Sequence, residues 1–213
     1  MQIFLIEACE YRLTDQDAMM NDQIRNMHAE NILQNVGDDT DKVKEFDGDP
    51  KFNRYISAYI QKSNKTLNAD QFTSSLFTIS REHSYDPVFL LAIIKTESSF
   101  NQFAIGSVGE VGLMQIRPET AEWVCLKNKI AWRGANALKD PEYNLLIGSY
   151  YFQYLKLALK SKSMKYITAY NMGLTKLNRV SAQMTEHEYF ERVVKNYLSI
   201  YSELKRIKAR KTV

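Results

Sequence analysis

The sequence predicts an all-α, mainly helical domain interrupted by one small irregular or hairpin-like segment. Three observations lead there. Only 8 Gly and 4 Pro occur among 213 residues, too few for a turn-rich all-β chain. From Lys51 onward, apolar residues recur at steps of three and four, the period of a helix with one buried face. The pairs Asp86-Pro87 and Asp140-Pro141 each set a capping side chain before a proline. The fixed φ of proline suits the first helical position, and its missing N–H is not needed there. With 45% hydrophobic and 12% aromatic residues, the chain can bury one sizeable core, or one core with an appendage.

Residues 1–50 hold 12 Asp or Glu against 4 Lys or Arg. They end in VGDDTDKVKEFDGDP, which has turn chemistry and little to bury, so they read as an acidic N-terminal arm or linker. Within the arm, MMNDQIRNMHAENILQNV from Met19 places Ile24, Met27, Ile32, Leu33 and Val36 at helical spacing. This is a helix that packs on the body or binds a partner. The body is placed at 51–213. There Tyr55, Ile56, Tyr59 and Ile60 share one face, and Phe72, Leu76, Ile79 and His83 share the next. Helices begin at Pro87, Pro118 and Pro141, a shorter one covers MKYITAY, and the last runs from about Glu188 to Arg206. Between Phe100 and Ile116 the helical period is lost around Gly106, Gly109 and Gly112, and this is the irregular segment.

The body carries 24 basic against 13 acidic residues. That balance favours an anionic partner such as nucleic acid, membrane headgroups or an acidic polymer, although most such clusters are simply solvated surface. The tail LKRIKARK lacks interleaved aromatics that would stack bases, so it reads as a frayed helix end and no nucleic-acid partner is expected. Cys9 and Cys125 are too few and too far apart for a disulfide framework or zinc site, and His28, His83 and His187 show no metal spacing. No metal or cofactor is expected. No apolar run approaches the ~18 residues of a membrane span. MQIFLIEA before Cys9 is similar to the end of a bacterial lipoprotein signal, but its apolar run is short and Glu7 interrupts it. A truncated start with a lipid on Cys9 and an ordinary N-terminus both stay open.

The chemistry centres on FLLAIIKTESSFN. Glu97 follows Leu90 by seven residues, Ile93 by four and Ile94 by three, which sets it on an apolar helix face. Desolvation there raises a carboxyl pKa and suits the group to act as a general acid. At the last turn of a helix a Glu can equally face water. Gly106, Gly109 and Gly112 allow positive φ or close approach to a ligand. Met114 offers a soft apolar wall or fills the core. Gln115 and Asn171 can pair with acetamido and hydroxyl groups or cap backbone. Tyr170 can donate to Glu97 or pack with its hydroxyl at the surface. Ser98 and Ser99 close the helix end.

These pieces fall in a known order: ESSFN at 97–101, GLMQ at 112–115, AYNMG at 169–173, and a late tyrosine in the final helix. Over roughly residues 70–200 the chain resembles the bacterial lytic transglycosylases with the soluble-lytic-transglycosylase, goose-lysozyme-like catalytic domain. The resemblance implies a lysozyme-like helical fold with a long cleft lined by the irregular segment. It implies that Glu97 is the catalytic acid and that Gly112, Leu113, Met114 and Gln115 belong to the segment lining the cleft, with Ser107 a further substrate-binding candidate there. Tyr170 and Asn171 match the Ala-Tyr-Asn motif, whose tyrosine orients the acid, and Tyr189 matches the late tyrosine with Tyr197 as a rival. Glu110 departs from the pattern, standing where the family usually has a small residue. It is either a second carboxylate near the cleft or, the reading preferred here, a loop side chain turned to solvent. The implied activity is cleavage of the β-1,4 bond between N-acetylmuramic acid and N-acetylglucosamine in peptidoglycan, leaving 1,6-anhydro ends and using no cofactor. Expected partners are peptidoglycan glycan strands and, through the N-terminal arm, an envelope assembly partner; the expected location is the bacterial envelope or periplasm. A hydrolytic muramidase on the same fold and a non-catalytic wall-binding assembly protein are the alternatives.

Overall fold

The apolar run ahead of Glu97 dictates the centre of the molecule. In the computed structural model, which describes residues 15–34, 36, 40–160, 163–173 and 185–210, the described residues form nine α-helices: α1 Asp15–Leu33, α2 Asp41–Lys44, α3 Phe52–Ser63, α4 Ala69–His83, α5 Pro87–Ser98, α6 Pro118–Asn128, α7 Pro141–Leu159, α8 Ser163–Met172 and α9 Thr185–Arg210. A 3-10 turn, Ala135–Lys139, precedes α7. Every residue of α5 from Pro87 to Ile94 is buried. A helix apolar on all sides must be wrapped by others, and α9 and α4 pack directly on it while Phe89 meets Phe152 of α7 and Tyr166 of α8. Cys9 and the apolar run before it lie outside the described residues.

The expected helix starts are present with their caps. Asp86 Oδ1 accepts from the Val88 N–H at 2.8 Å, and Asp140 Oδ1 accepts from the Tyr143 N–H at 2.9 Å. The irregular segment is hairpin-like: Val111 and Ile116 exchange two backbone hydrogen bonds, and Ile105 bridges Val111.

Asp86 does more than cap. It is fully buried, and its Oδ2 accepts from the hydroxyls of Tyr197 and Tyr201 on α9. Its own N–H donates to Nδ1 of His28 on α1 at 3.0 Å. Burial pushes the His28 pKa down to about 3, so the imidazole is neutral and, with Nδ1 accepting, Nε2–H donates to the Tyr166 hydroxyl on α8 at 2.9 Å. One carboxylate and one imidazole thus join α1, α5, α8 and α9. Burial raises the Asp86 pKa, while the two tyrosine hydroxyls and the Arg25 charge oppose that rise.

The described part of the acidic stretch packs on this core. Ala29, Ile32, Leu33, Val43 and Phe46 are buried, and Phe46 meets Phe52 and Tyr201 at ring distances of 5.2 and 5.8 Å. The residues expected to be a linker carry α2 and the Phe46 anchor. The buried stripe of α1 departs in part from the expected one: Ile32 and Leu33 are inside, but Met27 is exposed, Val36 lies past the helix end and is exposed, and Arg25 and His28 are inside. Periodicity counts apolar residues, whereas these two polar residues are buried because each finds partners, Arg25 with Asp22 and Asp47. The basic tail is not frayed at Arg206. Helix α9 runs to Arg210, Leu204 is buried beneath it, and Lys205 and Lys208 pair with Glu45 and Asp49 of the acidic stretch. Basic residues of α9 thus meet the acidic residues Glu45 and Asp49 of the described stretch.

If the Asp86 network anchors the bundle, Asp86→Ala should cost about 3–5 kcal/mol in urea unfolding, because two buried tyrosine hydroxyls and an amide lose their acceptor. Asp140→Ala, which removes a more exposed cap, should cost only about 1 kcal/mol. Equal losses would show that burial adds nothing to the Asp86 cap.

Candidate active site

Glu97 sits in the last turn of α5, where the helix must stop. Ser99 and Phe100 both take left-handed backbone conformations, with φ of 51° and 67°, and the chain reverses into the irregular segment. Ser98 ties the two together: its hydroxyl donates to the Leu113 carbonyl at 2.7 Å. Asn144 of α7 holds the same segment from the other side. This fully buried side chain donates to the Val111 and Leu138 carbonyls and accepts from the Met114 N–H, at 2.9, 2.8 and 2.8 Å. Gly112 must be glycine because a Cβ would lie 2.2 Å from the Leu138 carbonyl oxygen, and its φ is +84°.

Between this segment, α5 and the end of α8 lies a cleft of about 510 Å³, lined among others by Glu97, Ser107, Glu110, Gln115, Tyr170 and Asn171. The Tyr189 hydroxyl, on α9, donates to Glu97 Oε1 and fixes the carboxyl's rotamer. Burial pushes the Glu97 pKa up to about 7. The Tyr189 hydrogen bond and the Arg192 charge pull it down, and the Glu110 charge adds to the rise. Burial and the Glu97 carboxylate raise the Tyr189 pKa well above its ordinary value, so the phenol remains a donor. The arrangement therefore holds one carboxyl group protonated near neutrality, oriented and open to a cleft, which is the requirement for transferring a proton to a bound molecule.

The expected site residues divide into three groups. Glu97, Ser107, Gln115, Tyr170 and Asn171 reach the cleft. Tyr189 lies behind Glu97, and the rival Tyr197 belongs to the Asp86 network at the other end of α5. Gly112 and Met114 lie beneath the cleft: Met114 is fully buried and packs on Gly148 of α7, where a Cβ would meet its sulfur at 2.4 Å. Two assignments change. Tyr170 does not touch Glu97 by hydrogen bond; its hydroxyl donates to the Met114 carbonyl at 2.7 Å while its ring stacks on Phe152. The residue orienting Glu97 is Tyr189. Glu110 is not turned away from the molecule but lines the cleft, its Oε2 accepting from the Val108 N–H at 3.2 Å.

Sequence reasoning did not single out Asn144, Arg192 or Tyr151, which also lines the cleft. Asn144 had a signal, since it lies between Tyr143 and Leu145 in an otherwise apolar helix stretch. Arg192, exposed and one turn from Tyr189, had none.

Residues 74–193 match the family model described as the transglycosylase SLT domain, and the chain belongs to that family. Among curated proteins it is similar to the membrane-bound lytic murein transglycosylase C of Mannheimia succiniciproducens, 32% identical over 136 residues that cover 60% of this chain and 38% of that protein. Its similarity to the protein of the same name from Sodalis glossinidius is 33% over 121 residues, covering 53% and 34%. The matched segment thus spans little more than a third of those relatives. Among solved structures, an inactive mutant of the lytic transglycosylase Slt from Pseudomonas aeruginosa superposes with a TM-score of 0.55 over 93% of this chain and 38% of that one, at 17% identity. That likeness shows the all-α fold.

Carboxyl NMR of the labelled protein should give a Glu97 midpoint near 7, moving higher in Tyr189→Phe, where a hydrogen bond to the charged form is lost. A midpoint at the ordinary glutamate value would contradict the buried site. The same shift bears on stability. The folded-state value of about 7 lies above the unfolded 4.5, so the favourable contribution of protonated Glu97 is complete below pH 4.5 and is lost as pH rises to 7. Glu97→Gln should therefore be more stable than the parent by about 1–2 kcal/mol at about pH 8, and no more stable at about pH 4.

Proposed function

We propose that the protein is a peptidoglycan lytic transglycosylase that cleaves the β-1,4 bond between N-acetylmuramic acid and N-acetylglucosamine and leaves 1,6-anhydro-muramyl ends. The observation that carries this reading is a half-buried carboxyl group, Glu97, held near its protonation midpoint at neutral pH beside a cleft of about 510 Å³. Membership of the transglycosylase SLT domain family and similarity to proteins named lytic murein transglycosylases support it.

Protonated Glu97 donates its proton to the glycosidic oxygen as the C1–O bond breaks. The acetamido oxygen of the same muramyl unit attacks C1 and takes up the developing positive charge. Glu97, now a carboxylate, accepts the proton of the muramyl 6-hydroxyl, whose oxygen attacks C1 and releases the acetamido group. No water is consumed and Glu97 ends protonated, as it began. Tyr189 holds the carboxyl in place in both steps, and Gln115 and Asn171 are the groups proposed to position the sugar. Glu110 is the other cleft carboxylate, and substrate assistance removes the need for a second acid or base.

The relatives are named as membrane-bound proteins, and we infer an envelope location for this chain. No helix among the described residues is long and apolar enough to cross a membrane. A lipid on Cys9 and an assembly partner for the N-terminal stretch belong to the same proposal.

Incubation with purified sacculi followed by mass spectrometry should give anhydro-muramyl fragments, and Glu97→Gln should lower the rate at least about 10³-fold while keeping the fold. The basic limb of the pH–rate profile should fall near 7, because the acid form initiates cleavage. Reducing ends in place of anhydro ends would identify hydrolysis, and undiminished turnover by Glu97→Gln would remove Glu97 from the mechanism.

A further inference from the structure

We propose that the cleft wall beside Glu97 is an ammonium subsite, in which the Glu110 carboxylate and the Gln115 amide oxygen together receive a primary amine carried by the substrate. The inference deepens the reading of the cleft as a glycan site and rests on it.

Glycine at position 106 creates the space. Glu110 Oε2 lies 2.2 Å, and Gln115 Oε1 2.9 Å, from the point where a Cβ on Gly106 would stand. Two oxygens from different parts of the hairpin-like segment therefore converge over one glycine. The orientation of the Gln115 amide is fixed, because Nε2 donates to the Ala104 and Gly112 carbonyls at 3.2 and 2.9 Å. Both its hydrogens are engaged, and only the oxygen is presented. Its backbone takes a φ of 48°, uncommon for a residue with a side chain and a sign that the surroundings hold this placement. The Glu110 carboxylate receives the Val108 N–H and, among the described residues, pairs with no cation. The basic residue among those lining the cleft, Arg117, is engaged by Glu119.

The wall is thus rich in acceptors and carries one uncompensated negative charge. A hydroxyl or an acetamide N–H offers a single donor and can engage only one of the two oxygens. An ammonium group offers three donors and a positive charge, and hydrogen bonds between charged groups are about twice as strong as neutral ones. On a wall strand such an amine has two sources: a glucosamine unit that lacks its acetyl group, or the side-chain amine of a diamino acid in the stem peptide. The muramyl unit that undergoes cleavage is not a source, since its acetamido group takes part in the reaction.

Binding to the Glu97→Gln full chain, measured by calorimetry at low salt, separates these without turnover. One pair of ligands is a chito-oligosaccharide with its amines free or acetylated. The other is a muropeptide with its stem amine free or acetylated. In at least one pair the free amine should bind about tenfold more tightly, and that pair identifies the source. The added substitution Glu110→Gln keeps the side-chain shape and an acceptor for the Val108 N–H, and it should abolish the preference. Glu122→Gln, an exposed charge on α6, should leave the preference intact. No preference in either pair, or a preference that survives Glu110→Gln, overturns the subsite. An amine preference without anhydro products from the parent enzyme would instead count against the transglycosylase reading alone.

Discussion

The fold depends on how helix α5 is held at both ends by tyrosines of α9. At the N-terminal end, Tyr197 and Tyr201 donate to Asp86; at the C-terminal end, Tyr189 donates to Glu97. Between them Asn196 donates to Thr96 at 2.9 Å. A helix as apolar as α5 has no directional preference of its own, because hydrophobic contact is indifferent to rotation and sliding. The buried carboxyl groups supply the direction. Each must find its donors, and only one register of α5 against α9 gives both of them a phenol.

The two ends then diverge chemically. Asp86 is closed in, capping its own helix and holding two hydroxyls, and has no access to a ligand. Glu97 has one hydroxyl partner and faces the cleft. Burial raises both carboxyl pKa values, but only at Glu97 does the raised value sit beside space for a substrate. Burial that opposes folding as the pH rises is the same burial that keeps an acid protonated near neutrality, so stability and the proposed chemistry draw on one residue in opposite directions.

Much of this was legible in the chain. The Asp-Pro helix starts, the loss of period after Phe100 and the apolar face carrying Glu97 are local properties, set by capping chemistry and by side-chain spacing along one helix. The order of ESSFN, GLMQ and AYNMG located the cleft. What failed were statements about partners. Tyr170 and Tyr189 are both phenols near the motifs, yet one grips the Met114 carbonyl and the other Glu97. Met114 looked like a wall because its neighbours line one, but a one-residue step along an irregular segment turns a side chain into the core. Arg25 and His28 broke the expected stripe of α1 because burial of a polar group is decided by its partners, which come from other helices.

By itself the sequence determined the helical class and the helix starts and singled out Glu97 as the candidate acid, since each rests on interactions within a few residues. Only the tertiary structure decided which tyrosine orients that acid, that Glu110 joins the cleft wall, and that the acidic beginning of the described chain packs on the basic end of α9. Those are meetings between residues distant in the chain. They depend on helix register and on the hydrogen-bonding needs of buried polar groups, and spacing along one strand of sequence encodes neither.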